Sequence, residues 1–201
     1  MAPATTSQGW THTPSTALLL WLGVSLTLVA WDTAYVLLRP HTMPGGSLHW
    51  PLWVPYALYG EVDHMYGFKQ WNRNNPWTAT QSWMNVVESI MYLTYLWLWS
   101  TYGKAPASGA RKAIGGRVGA AAVLLGFSAA VKTVSKTIIY WLLEILSGFE
   151  NIGQNDLWTM IFLWVIPNGA WVVVPSVIMI YDMGLEIVDA LARASPRLKT
   201  Q

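Results

Sequence analysis

Asp32 and Glu88 each stand inside a stretch that is otherwise apolar and long enough to cross a bilayer. An ionisable side chain in hydrocarbon costs roughly 2.5–3.5 kcal/mol by insertion scales, so each is a functional-site candidate by default. Two carboxylates in one water-poor pocket are the parts of an acid–base pair, one donating a proton and the other accepting it. Lys132 and Lys136 lie in a third apolar stretch, and Asn168 and Trp171 lie in a fourth. Asn168 can orient a carboxyl group, and the Trp171 face can hold a developing cation. If Lys136 faces the same pocket, a different chemistry opens: proton abstraction beside a carbonyl, with the ammonium stabilising the enolate. A Schiff-base lysine is a further option, because burial makes an amine nucleophilic. The same groups could also do no chemistry and form interhelical ion pairs, Asp32 and Glu88 with Lys136 and Lys132.

Four stretches meet the requirement of about 20 mainly apolar residues. They run from 17 to 38, 81 to 102, 118 to 145 and 157 to 181. A fifth, Leu48 to Phe68, carries Pro51, Pro55 and Gly60 and then Glu61, Asp63 and His64. Its uncharged part is too short and too broken to span, so it is expected to be an interfacial or re-entrant helix over the pocket. A five-span arrangement, with Asp63 in the membrane, is the alternative. The expected fold is an all-α integral membrane protein: a four-helix transmembrane bundle with one extra interfacial helix. Residues 1–16 form an N-terminal tail, 17–185 the transmembrane domain, and 186–201 a basic tail.

At about 1.5 Å rise per residue, Asp32, Glu88, Lys136 and Asn168 lie about 9, 10, 13 and 16 Å from one common end of the bundle. Four polar groups on four helices thus share one layer, where burial forces them to pair. Helical spacing adds neighbours. Asn85, Glu88, Tyr92 and Tyr95 form one face, Thr133, Lys136, Tyr140 and Glu144 another, and Trp164, Asn168, Trp171 and Pro175 a third. Tyr92, Tyr95, Tyr140 and Trp164, with Tyr56 from the interfacial segment, are the expected substrate-binding residues. Asp63 and His64 are expected to be solvated, and Glu144 and Glu150 to sit at the membrane edge.

Composition fits this picture. Of 201 residues 53% are hydrophobic and 11% charged, against about 25% charged in a soluble domain. A net charge of +2 is too small to argue for nucleic acid. There is no cysteine, no His/Cys cluster has metal-ligand spacing, and no glycine-rich phosphate loop occurs. Neither metal nor cofactor is therefore expected. The 14 Trp and 9 Tyr suit interfacial belts. Lys104, Arg111, Lys112 and Arg117, with Arg193, Arg197 and Lys199 in the tail, face Arg39, Lys69 and Arg73 across the membrane. The positive-inside rule then puts both termini in the cytosol if there are four spans. Ala105 to Gly116 is expected to be a flexible basic loop.

Several short motifs resemble the EXPERA superfamily, which includes an emopamil-binding sterol isomerase branch and sigma-type ligand-binding relatives. Pro167-Asn168-Gly169-Ala170-Trp171, followed by Pro175, is similar to the isomerase branch's Asn-x-x-Trp and proline. Val86-Val87-Glu88-Ser89 resembles its second acidic site. Leu52-Trp53 to Tyr56-Ala57 and Gly60 to Tyr66 resemble its interfacial segment, and Tyr140 to Glu144 with Gly148-Phe149 its third helix and turn. Asp32 falls where the family carries an acid in the first helix. The likeness covers about residues 17 to 190. Leu28 and Met91 stand where the isomerase has a histidine and a threonine, and Lys132 and Lys136 have no counterpart in its pattern.

The resemblance implies a membrane-embedded isomerase or cyclase of the endoplasmic reticulum. It would shift a double bond of a lipophilic sterol-, terpenoid- or natural-product-like substrate, using Asp32, Glu88, Asn168 and Trp171. The alternative it implies is a non-catalytic membrane protein that binds sterols, lipids or amines. Expected partners are the lipophilic small molecule and membrane lipids, with a homodimer left open.

Overall fold

The computed structural model describes residues 9–105 and 111–194. The chain is mainly helical. Its elements are β1 (Thr11–His12), α1 (Thr16–Leu37), α2 (Pro55–Val62), α3 (Phe68–Asn72), α4 (Trp77–Tyr102), β2 (Ile114–Gly115), α5 (Gly116–Leu146) and a long final helix, α6 (Leu157–Ala194). Three helices, α1, α5 and α6, are long and apolar enough to cross a membrane. With 26 residues α4 has the length, but Gln81, Asn85 and Glu88 lower its hydropathy. It starts four residues earlier than expected, and α6 runs to Ala194 rather than ending near Tyr181. Residues 195–201 of the expected basic tail lie outside the described residues.

Local signals set the helix ends. The Ser15 side chain accepts from the Leu18 N–H, and the Asp156 carboxylate accepts from the N–H groups of Trp158 and Thr159, satisfying otherwise orphaned donors. After α5 the chain turns through Gly148 at φ 69°, a conformation that costs glycine little. Inside α6, two π-helical turns, Ile161–Val165 and Ser176–Tyr181, lie next to Pro167 and Pro175. Proline has no N–H to give the preceding turn, and a wider turn accommodates the loss.

In the bundle α4 packs between α1 and α5, and α6 lies along α5 and meets α1 near its second π turn and at Trp171. One core cluster fills this end, with Leu18, Leu22, Tyr95, Ala129, Ala130, Met179 and Met183 buried. The outward faces remain apolar, as at Leu20, Val24, Leu93, Leu124, Phe162 and Val173. Below this core, β1 pairs antiparallel with β2, Thr11 opposite Gly115 and His12 opposite Ile114. His12 is buried between the Tyr95 hydroxyl at 2.8 Å and the Glu186 carboxylate at 2.7 Å. The described parts of the N-terminal tail and of the loop expected to be flexible are thus joined to each other by paired backbone and to the bundle by a buried imidazole. Residues 106–110 of that loop are not among those described.

At the opposite end, α2 and its flanking loops close over the gap between α1 and α6. Tyr35 of α1 stacks on Tyr56 at 3.7 Å between ring centroids, and its hydroxyl donates to the Tyr66 carbonyl at 2.9 Å. Arg39 ends α1 as a buried peg, donating to the carbonyls of Val36 and Met65 and to the Thr78 hydroxyl. Gly60 and Gly67 cross so closely that a Cβ on Gly67 would stand 2.3 Å from the Gly60 carbonyl oxygen. Gln154 and Asn155 donate to the Val62 carbonyl, capping α2 from the α5–α6 turn.

Glu144 is not an exposed charge at the end of α5. It is fully buried, and its two oxygens accept from the Asn151 backbone N–H at 3.1 Å and side-chain amide at 2.7 Å. Asn151 in turn accepts from Gln70 at 2.7 Å, joining this turn to α3. Glu150 is exposed, as expected, and pairs with Arg73. Replacing Glu144 by Leu leaves two buried donors without an acceptor, at about 1–3 kcal/mol each. Glu144→Leu is expected to lower the thermal midpoint in detergent micelles sharply, whereas Glu150→Ala leaves it unchanged.

Candidate functional site

Between the bundle and its α2 roof lies a cavity of about 480 Å³, within the range of small-molecule sites. Asp32 of α1, Asn85 of α4, Lys136 of α5 and Asn168 of α6 all line it. Three of the four polar groups expected at one depth thus line one chamber, with Asn85 in the place expected for Glu88. The roof contributes aromatic rings: Tyr56 and Tyr59 from α2, and Tyr66 from the following turn, facing Trp31. Trp171 closes the inner end, its ring edge-on to Trp21 at 5.3 Å. Leu28, Leu58 and Leu163 line the cavity and are also exposed on the outer surface. They give the cavity an apolar rim contributed by α1, α2 and α6.

Asp32 is the one carboxylate that lines this space, and Tyr56 donates to its Oδ1 at 2.7 Å. No ion pair to Asp32 is present among the described residues. Asn168 lies just after the first π turn, and its amide nitrogen donates to the Trp164 carbonyl at 2.9 Å.

Glu88 sits behind the wall. It is buried, and its Oε2 accepts from Lys136 Nζ at 2.9 Å and from the Thr133 hydroxyl at 3.0 Å. Lys136 also donates to Asn85 Oδ1. A second chamber of about 20 Å³, bounded by Glu88, Asn85, Tyr92, Lys136 and Trp171, adjoins this pair. That is room for one water molecule, given a minimum of roughly 10–15 Å³. The ion-pair alternative raised from sequence therefore holds for Glu88 and Lys136, while Asp32 is left out of it. Lys132 does not line either chamber.

The expected substrate-binding residues divide. Tyr56 and Tyr140 line the main cavity. Tyr92 reaches only the small chamber, where its hydroxyl is 3.2 Å from Thr133. Tyr95 is fully buried in the bundle core with His12 and is no part of the cavity, because a face of three helical turns is longer than the chamber is deep. Trp164 points away from the cavity into a buried cluster around Asp63.

Asp63 is the residue that sequence reasoning missed. It is not solvated but fully buried, and it accepts from the hydroxyl of Tyr140, the indole of Trp164 at 2.9 Å and the Met65 N–H at 3.0 Å. Burial pushes its carboxyl up to about 7, against the pull of the donors from Tyr140, Met65 and Trp164, with Glu144 adding to the rise. Through Tyr140, whose ring lines the cavity, this acid stands one hydrogen bond behind the site. The cluster Glu61-Val62-Asp63-His64 reads as polar surface, and only the fold-back of α2 buries Val62 and Asp63. His64 follows the opposite course, remaining partly exposed beside Lys69.

The raised value has a thermodynamic consequence. The folded chain holds this proton more tightly than the unfolded chain does, so the stabilisation is complete below pH 3.8. It is lost as the pH climbs to about 7. Thermal unfolding of the wild type in detergent is expected to show a falling midpoint across that interval relative to Asp63→Asn, and parallel curves above it. A flat difference between the two proteins contradicts the assignment.

No family model, curated protein or solved structure matches this chain, so the chemistry of the site rests on its own geometry.

Proposed function

We propose that the chain is a membrane-embedded isomerase or cyclase of the EXPERA type, moving a double bond of a lipophilic ring substrate by proton transfer. The observation that carries this reading is Asp32. It is a carboxylate with no ion-pair partner among the described residues, held by the hydroxyls of Tyr56 and Tyr66 in an aromatic chamber whose rim includes leucines. A proton acceptor so placed meets a hydrocarbon skeleton with little competing water, and the aromatic rings of Trp31, Tyr56 and Trp171 suit a flat, greasy molecule. Glu88, compensated by Lys136, tunes the wall from behind. Asn168 fixes the first π turn of α6 and so the position of Trp171. Rim and chamber together favour delivery of the substrate from membrane lipid.

In this proposal α4 is the fourth crossing helix, since its polar stripe turns inward while Trp83, Val87, Ile90, Leu93 and Trp97 face out. Both termini lie in the cytosol and the membrane is that of the endoplasmic reticulum. The charge bias supports the orientation. On the roof side Arg39 is buried and Arg73 pairs with the Glu150 carboxylate, while Lys69 donates to the Glu150 backbone carbonyl and keeps its charge, so one uncompensated cation faces that side against the basic residues of the other.

One observation favours a second reading. A carboxylate flanked by aromatic faces is also the arrangement that holds a cationic amine, which makes a non-catalytic lipid or amine binder the rival. The two part on Asp32→Asn. Wild type and variant, expressed in the same host, are purified and their bound lipids separated by chromatography and mass spectrometry. An isomerase is expected to carry a product isomer in the wild type and an equal-mass precursor in the variant, with turnover reduced about 10²–10⁴-fold. Identical neutral lipids in both, with loss of amine affinity in the variant, establish the binder.

A further inference from the structure

We infer that Asn85 and Lys136 form an oxygen-binding subsite, and that the ligand is a neutral lipophilic ketone rather than an amine. This inference rests on the cavity being a small-molecule site and names what the proposed isomerase would act on. The argument starts from the direction of one amide. Lys136 donates to Asn85 Oδ1, so the oxygen of that amide is occupied. Its nitrogen must then point the other way, and among the described residues no protein acceptor meets it. Lys136 has three N–H donors, of which Asn85 and Glu88 take two. The Gln81 side chain, one turn along α4, also lines the cavity without a protein partner. This wall therefore presents donors, and a ligand atom bound there must accept.

Charge narrows the class. Glu88 already compensates Lys136, so the wall offers hydrogen bonds without a net demand for an anion. At this wall a cationic amine would meet the Lys136 ammonium; its complement in the lining is Asp32, away from the Asn85 and Lys136 donors. A carbonyl oxygen meets both conditions. Asn85 and Lys136 lie on adjacent helices, α4 and α5, and can approach one oxygen from two sides, as donors do when they stabilise an enolate.

With Asp32 in the same chamber, the step balances without any other reactant. The Asp32 carboxylate takes a proton from the carbon beside the carbonyl. The C–H electron pair becomes a carbon–carbon double bond, and the carbonyl π pair moves onto oxygen, held by the Asn85 and Lys136 donors. Where a double bond already adjoins that carbon, the protonated Asp32 returns the proton to the far end of the conjugated system. The product is an isomer, and Asp32 is again a carboxylate.

The test uses the full-length protein in detergent micelles and three probes: cholestenone labelled isotopically at its carbonyl carbon, the hydrocarbon cholestene, and an aminocholestane. Cholestenone is expected to bind at least about tenfold more tightly than either of the others, the value of one good hydrogen bond. Its carbonyl stretch is expected to fall to lower frequency on binding and to move part of the way back toward the micelle value in Asn85→Leu. Asn85→Leu leaves the Lys136–Glu88 pair intact, whereas Lys136→Met strands a buried carboxylate and serves only as a second, harsher comparison. Tighter binding of the amine overturns the inference, as does an unchanged stretch in Asn85→Leu. Equal binding of ketone and hydrocarbon overturns the subsite while leaving the cavity as a lipid site. Binding of none of the three overturns both.

Discussion

The buried Asp63 carboxylate is the tie on which the rest of this architecture depends. It gathers three donors from three places: the backbone after α2, a tyrosine of α5 and a tryptophan of α6. Each donor alone is worth only a modest amount, but a buried charge without partners is expensive, so the three elements must stay together. That junction fixes the roof over the gap between α1 and α6. Without it, α2 is a short amphipathic segment at the membrane surface, and the cavity beneath has no lid. Arg39 performs the matching task on the other flank, joining the end of α1 to the start of α4.

The cavity walls follow from how buried charges are disposed. Each of the carboxylates at this end has a separate answer to burial: Glu144 takes amide donors, Asp63 takes ring and backbone donors, and Glu88 takes an ammonium. Asp32 takes the hydroxyls of Tyr56 and Tyr66 and keeps a face toward open space. The inequality is what gives the chamber a reactive side. It also explains how two carboxylates at similar depth differ in role, one compensated inside the wall and the other presented to whatever enters.

Much of the frame was legible because hydrophobic length and polar depth are local quantities. Counting along each helix placed Asp32, Lys136 and Asn168 at one level, and they do meet, since antiparallel packing preserves depth along the bundle axis. The proline and glycine pattern of residues 48–68 marked a segment that folds into a helix of only 8 residues, α2, flanked by turns. Rotation about each helix axis was less legible. Tyr92, Tyr95 and Trp164 share faces with site residues by spacing, yet an α-helical face drifts and a π turn shifts it further, so they point to a side chamber, the core and the Asp63 cluster respectively. Asp63 and Glu144 were unreadable for another reason. Charged residues in a turn look solvated, and their burial is created by distant segments such as Trp164 and Asn151.

By itself, the sequence determined that this chain consists of long apolar helices with ionisable groups at one depth, because free energy of transfer and helical rise are properties of each segment alone. The tertiary structure alone decided which acid is paired and which is open, that α2 forms a roof with an apolar rim, and that Asn85 turns its amide inward. Those outcomes depend on which donor lies across from which acceptor, and only the packed neighbours supply that information.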